Sequence, residues 1–185
     1  KIILYSFLLI LFLTKLSLAT VINKIEINGN NRISKETIIV FGDIELNTDI
    51  NDNQLDLILK KLYETNFFEN INLSINNKTL IITLIENPLI QNVSILGVPS
   101  KKIREKILEI ILLKNSSSFV EYYAKKDFRA IKTFLKTQGY YFVDVKSSIK
   151  KNTNNTIDLV YNINLGTKAL IGKINFIGDK KIKNR

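Results

Sequence analysis

The sequence predicts an α+β fold: tandem small β-α-α-β-β modules, each a three-stranded sheet with two helices on one face. Three observations carry this reading. A phrase of alternating apolar residues closed by glycine occurs three times: Ile22-x-x-Ile25-x-Ile27-x-Gly29, Ile90-x-x-Val93-x-Ile95-x-Gly97 and Ile171-x-x-Ile174-x-Phe176-x-Gly178. Two segments with helical apolar spacing follow each of the first two phrases, and two period-two strands then close each module. The glycines lie 68 and 81 positions apart (97−29 and 178−97). That is too far for a solenoid unit of roughly 20–50 residues and suits small domains in tandem. The expected domains are 20–88, 89–167 and the truncated start of a third at 168–185, so the chain reads as part of something longer.

Residues 1–19 read as a signal peptide. Lys1 precedes an almost unbroken apolar run over 2–13, shorter than the ~20 residues of a membrane-spanning helix. Ser17 and Ala19 place small residues at −3 and −1 of a cleavage site after Ala19. The alternative is an uncleaved anchor extended through Leu16 and Leu18. With no methionine in the chain, Lys1 is not a translation start.

In the first module, Ser34 is placed to cap a helix through Ile38, Ile39 and Phe41, ended by Gly42 and Asp43. Asn51-x-x-Gln54 has the spacing of a capping box, and Leu55, Ile58, Leu59 and Leu62 follow at i, i+3, i+4, i+7. In the second module, Ser100 caps a helix carrying Ile103, Ile107, Ile110 and Ile111, and the next stripe is Ala124, Phe128, Ile131 and Leu135. Both second helices stop alike. Asn66 and Gly139 stand four residues after Leu62 and Leu135, before the aromatic pairs Phe67-Phe68 and Tyr140-Tyr141. Asparagine and glycine are the residues that accept left-handed geometry past a helix end.

The closing strands follow. Ile71, Leu73 and Ile75 alternate, a turn falls at Asn76-Asn77-Lys78, and Leu80, Ile82 and Leu84 alternate again. The second module repeats this with Val143, Val145 and Ser147, a polar turn over 151–155, then Ile157, Leu159, Tyr161, Ile163 and Leu165. Alternation of this kind buries one sheet face and leaves the other wet. At the junction, Pro88 biases Asn87 away from helix and predicts a break between modules. Asn115 with Ser116, Ser117 and Ser118 reads as an interhelix loop and a contact site.

Composition removes several chemistries. The chain has no histidine, cysteine or tryptophan, so no imidazole or thiolate metal site, cysteine nucleophile or histidine triad can be built. Glu105, Glu109 and Asp127 are the nearest thing to a carboxylate cluster. Glu105 and Glu109 lie at i, i+4 beside Lys101, Lys102 and Lys106, which reads as a solvated helix face. No catalytic, cofactor-binding or metal residue is expected, and no enzyme. The net charge of +10 is unevenly spread. Residues 1–88 carry 8 Lys/Arg against 10 Asp/Glu, 89–168 carry 14 against 6, and 169–185 carry 5 against 1. An Ile-, Asn- and Lys-rich composition accounts for part of this, and nucleic acid is not an expected partner. A membrane surface or an acidic partner stays open for the second module.

The element order and three phrases resemble the polypeptide-transport-associated, or POTRA, domain. The residues that carry the resemblance are Ile25-x-Ile27-x-Gly29-Asn30-x-Arg32-Ile33-Ser34, then Leu62-Tyr63-x4-Phe68-x-x-Ile71, and Leu159-x-Tyr161-x-Ile163-x-Leu165-Gly166 leading to Ile174-x-Phe176-x-Gly178-Asp179. It spans 21–179. Tandem POTRA domains behind a signal peptide are similar to the periplasmic arm of BamA-type outer-membrane protein assembly factors. The resemblance implies a location at the periplasmic face of the outer membrane, unfolded outer-membrane proteins as clients, accessory assembly lipoproteins as partners, and membrane attachment through a missing C-terminal barrel. A signal-anchored scaffold of the cell-division type and the POTRA arm of a secretion transporter are the alternatives.

The physics of a receptor follows from the sheet. An edge strand exposes backbone donors and acceptors that can pair with an incoming extended chain, almost without regard to its sequence. The candidate edges are Ile71, Asn72, Leu73, Ser74 and Ile75 in the first module, and Val143, Val145, Ser147 and Ile149 in the second. Asn72 and Ser74 are expected on the wet face.

Overall fold

The computed structural model describes residues 20–170 and 172–175. The signal-peptide reading of residues 1–19 lies outside the described residues, as do Ile171, Phe176 and Gly178 of the third phrase. The chain divides at Pro88 and Leu89 into two compact units.

In the first unit, β1 (Thr20–Val21) and β2 (Lys24–Asn28) lead to α1 (Lys35–Gly42), β3 (Asp49–Ile50), α2 (Asp52–Glu64), β4 (Phe68–Asn76) and β5 (Thr79–Glu86). The second unit has β6 (Leu89–Leu96), α3 (Lys101–Ile110), α4 (Glu121–Thr137), β7 (Asp144–Lys151) and β8 (Thr156–Asn164). Each unit holds a three-stranded mixed sheet, ordered β2-β5-β4 and β6-β8-β7. The first strand runs parallel to the last, and the last pairs antiparallel with its hairpin neighbour. This is the predicted α+β order.

The caps form as the sequence implies. Ser34 accepts the Thr37 N–H at 3.2 Å. The Asn51–Gln54 box closes in both directions, at 3.0 and 2.8 Å, and the Ser100 hydroxyl accepts Ile103 N–H at 3.4 Å. Asn66 and Gly139 take φ of 60° and 89°, so both helices stop through left-handed residues. The first hairpin turns through Asn77 and Lys78, both with positive φ, the backbone of a type I′ turn.

Two separate cores result. Ile27, Ile38, Ile58, Leu62, Leu80, Ile82 and Leu84 fill the first, and Ile90, Ile107, Ile131, Leu135, Leu159 and Ile163 the second. Burying each such side chain stabilises by roughly 1.5–3 kcal/mol. The phrase-closing glycines have a packing reason. Gly29 (φ 88°) and Gly97 (φ 84°) lie against the strand at the sheet centre, where an added Cβ would stand 2.1 Å from Leu84 O and 1.9 Å from Ile163 O. No side chain fits there.

The structure departs from the expectations at several points. β1 and β3 form an additional two-stranded sheet, too short to give a periodic signal. Ile111 is not helical: it follows α3 with ψ 152° and is buried with Leu113. β4 begins at Phe68, ahead of the expected Ile71, and Val143 lies just before β7. The aromatic pairs also differ. Phe68 is 3% exposed in the core, whereas Tyr141 is 57% exposed, because the second unit has one more residue before its strand and turns Val143 toward the core instead.

Candidate functional site

In the first unit the interhelix segment bonds Ile22, just ahead of β2, and in the second it covers the start of β6. Ile22 N–H donates to Thr48 O at 3.1 Å, and Asn47 N–H to Ile22 O at 2.7 Å. In the second unit, Ile90 N–H donates to Ser117 O at 2.9 Å, Ser116 N–H to Ile90 O at 2.8 Å, and Val93 N–H to Asn115 Oδ1 at 2.8 Å. The Asn115 and serine loop, expected as a contact site, thus spends its polar groups on β6. Among the described residues no backbone bond reaches the outer side of β4 or β7.

Register decides which groups those open edges present. Asn76 and Thr79 close the two-residue turn and therefore exchange hydrogen bonds. Counting back in twos, Ser74 and Asn72 bond inward to β5, while Ile75, Leu73 and Ile71 turn their N–H and C=O away from it. Ile71 is engaged: its N–H donates to the Tyr63 hydroxyl at 3.1 Å. Leu73 and Ile75 remain as the open pair of β4.

On β7, Asn152 N–H donates to Thr156 O at 2.8 Å. The same register continues through Lys150–Asp158, Ser148–Val160 and Lys146–Asn162. Val145, Ser147, Ile149 and Lys151 therefore face outward. Seven of the nine candidate residues share this edge geometry or its wet-face complement. Val143 stands before the strand, and Ile71 is occupied. Asn72 and Ser74 are exposed on the wet face.

Two buried carboxylates hold the frame behind these edges. Asp127 is fully buried on α4. Its Oδ1 accepts Leu112 N–H at 2.6 Å, and its Oδ2 accepts Leu113 N–H at 3.1 Å and the Tyr161 hydroxyl at 2.7 Å. One carboxylate therefore ties α4, the loop after α3 and the central strand β8. Burial first, and then the Asp127 carboxylate, push the Tyr161 phenol well above its usual pKa. Glu105 and Glu109 are exposed, as the solvated-face reading has them, whereas Asp127 is buried.

In the first unit Glu86 plays the comparable part. Its Oε1 accepts N–H groups of Asn31, Arg32 and Ile33 at 2.9, 3.0 and 3.0 Å, and Arg32 Nε lies 3.7 Å from Oε2. This holds the turn between Gly29 and the Ser34 cap. Leu165 takes the corresponding place in the second unit, where Val98 is buried instead. The sequence reading passed over Glu86 and missed the buried role of Asp127. Their signal was an acidic residue at a position where the periodicity asks for an apolar one: Leu80, Ile82, Leu84, Glu86 on β5, and Ala124, Asp127, Ile131 on α4. Among the described residues no cluster of three or more acids is placed to hold a metal ion, and no helix is long and apolar enough to cross a membrane.

Comparison with known proteins bears on this geometry. Residues 88–166 match the POTRA family model, described as a surface antigen variable number repeat. The outer membrane protein assembly factor BamA of Neorickettsia risticii is 24% identical over 95% of this chain and 24% of its own length. The BamA of Neisseria meningitidis is 26% identical over 97% of this chain and 23% of its own. The chain thus spans about a quarter of the length of these curated relatives. In fold, it superposes on the N-terminal domain of Omp85 from Thermosynechococcus elongatus with a TM-score of 0.53 and 15% identity, over 78% of this chain and 63% of the other. POTRA1-2 of the periplasmic domain of Omp85 from Anabaena gives 0.50 and 12%, over 83% and 99%. Residues 88–166 thus match the POTRA family model, and the two tandem modules of the described residues are POTRA-like in fold and resemble the N-terminal region of BamA and Omp85 proteins.

Proposed function

We propose that these modules receive unfolded outer-membrane proteins at the periplasmic face of the outer membrane, by adding a client segment as an extra strand at β4 or β7. The observation that carries the reading is the row of outward backbone groups at Val145, Ser147, Ile149 and Lys151, with the shorter pair at Leu73 and Ile75. Main-chain pairing is nearly sequence-blind, which suits a receptor for many clients. Each bond nets only about 0.5–1.5 kcal/mol, and ordering the client costs much of that. Affinity in the micromolar to millimolar range (about −8 to −4 kcal/mol) is expected.

The wider assignment rests on the BamA relatives. On this reading the chain follows a cleaved signal peptide and belongs to an arm that docks accessory assembly lipoproteins and continues to a membrane barrel, a reading that the likeness to BamA supports. Amide hydrogen exchange with and without an unfolded amphipathic barrel-strand peptide tests the strand-addition step. Slowed exchange at Val145, Ser147, Ile149 and Lys151, with Lys146 and Ser148 unchanged, supports it. Peptide binding that leaves these amides unaltered refutes it.

A further inference from the structure

We infer that the solvent face of α4 is a docking site for an acidic helical segment of a partner protein. Lys125, Arg129, Lys132 and Lys136 recur at i, i+4, i+7, i+11. At 100° per residue they fall within about 60° of one another and form a single row about 16 Å long. This surface does not depend on strand addition at β7.

Three of the row's four cations lack the ion pairs that α2 and α3 show. On α3, Lys101 pairs with Glu105 and Lys106 with Glu109, and on α2, Lys60 pairs with Glu64 and Lys61 with Asp43. α4 has two acids. Glu121 pairs with Lys125 at 2.8 Å, and Asp127 is turned into the core against Tyr161. No described residue makes an ion pair with Arg129, Lys132 or Lys136. Like charges at i, i+3 and i, i+4 repel, so the helix carries a strain that carboxylates from outside would relieve.

The shape of the row selects the partner. A helix bearing Glu or Asp at the same spacing places its carboxylates about 6 and 4.5 Å apart along its axis, in step with these cations. A membrane-surface helix instead has an apolar face free to enter the headgroup boundary, whereas the apolar face of α4, with Ala124, Ile131 and Leu135, is buried in its own module. Single-stranded nucleic acid asks for free aromatic faces to stack on, and Lys126 covers Tyr122 at 4.5 Å from the ring centroid.

The test uses the whole chain and a fluorescent alanine-based helical peptide with glutamates at i, i+4, i+7 and i+11, titrated at low and physiological salt. Vesicles containing roughly 30% phosphatidylglycerol form the second arm. Arg129→Glu with Lys132→Glu is expected to weaken peptide binding about tenfold or more. Lys102→Glu with Lys150→Glu, an equal change of net charge elsewhere on the module, leaves it nearly unaltered. Should the reversal variant fail to fold, Arg129→Gln with Lys132→Gln, set against Lys102→Gln with Lys150→Gln, keeps the comparison and is expected to match or exceed the parent Tm. Equal losses in both pairs, which would mean diffuse charge attraction, overturn the inference. So does binding to vesicles without binding to the peptide.

Discussion

The Tyr63 hydroxyl accepts the Ile71 N–H at 3.1 Å on the side of β4 turned away from β5. A side chain from the helix before the strand thereby occupies the first outward donor of that edge. The two modules consequently offer edges of unequal length, two open residues on β4 and four on β7. Tyr63→Phe is expected to release Ile71 for pairing and to strengthen peptide binding at the first module severalfold. The fold should lose no more than about 1 kcal/mol, the net worth of one hydrogen bond. Urea unfolding and peptide titration of the same variant check both effects.

Asp127 is expected to be the costliest single side chain to truncate in the second module. Asp127→Ala leaves Leu112 N–H, Leu113 N–H and the Tyr161 hydroxyl without their acceptor, and should destabilise by about 3–5 kcal/mol. Tyr161→Phe removes one donor and keeps the ring, so about 1–2 kcal/mol is expected.

The same pair sets an alkaline limit. The Tyr161 pKa is raised in the folded state, so the fold binds this proton more tightly than the unfolded chain does. Its contribution is complete below the unfolded value of about 10 and is lost as pH rises from there toward the folded value. Thermal melts between pH 8 and 11 should show a decline above pH 10 that Tyr161→Phe flattens.

Gly29→Ala and Gly97→Ala should each destabilise their own module by at least about 2 kcal/mol. Positive φ alone costs an L-residue roughly 1–2 kcal/mol, and the added methyl also overlaps the Leu84 or Ile163 carbonyl. Paired denaturation curves of the two variants give this directly.

Much of this architecture was legible because it rests on short-range rules. Period-two strands, 3.6-residue stripes, the Asn51–Gln54 box and the shared stop at Asn66 and Gly139 are local consequences of backbone geometry. Glu86 and Asp127 were harder, since the partners that make a buried acid tolerable come from elsewhere in the chain: Asn31, Arg32 and Ile33 for one, Leu112, Leu113 and Tyr161 for the other. Edge position followed from topology once the first and last strands paired in parallel. The outward N–H groups did not, because side-chain alternation is the same for either hydrogen-bond phase. That phase is set by the turns at Asn77-Lys78 and 152–155. The exposure of Tyr141 was hidden by a single additional residue before β7.

Two adjacent prolines on β7 test strand addition most directly. Ser147 N–H faces outward and Ser148 N–H bonds inward to Val160, so Ser147→Pro removes a docking donor while Ser148→Pro breaks the sheet's own ladder. Circular dichroism melts and fluorescence titration with an unfolded barrel-strand peptide are read on both variants. The predicted result is a Ser147→Pro variant that folds and binds at least about tenfold more weakly, the loss of one to two main-chain bonds, beside a Ser148→Pro variant destabilised by about 3 kcal/mol or more. A folded Ser147→Pro variant that binds the peptide as tightly as the parent chain would contradict strand addition at β7.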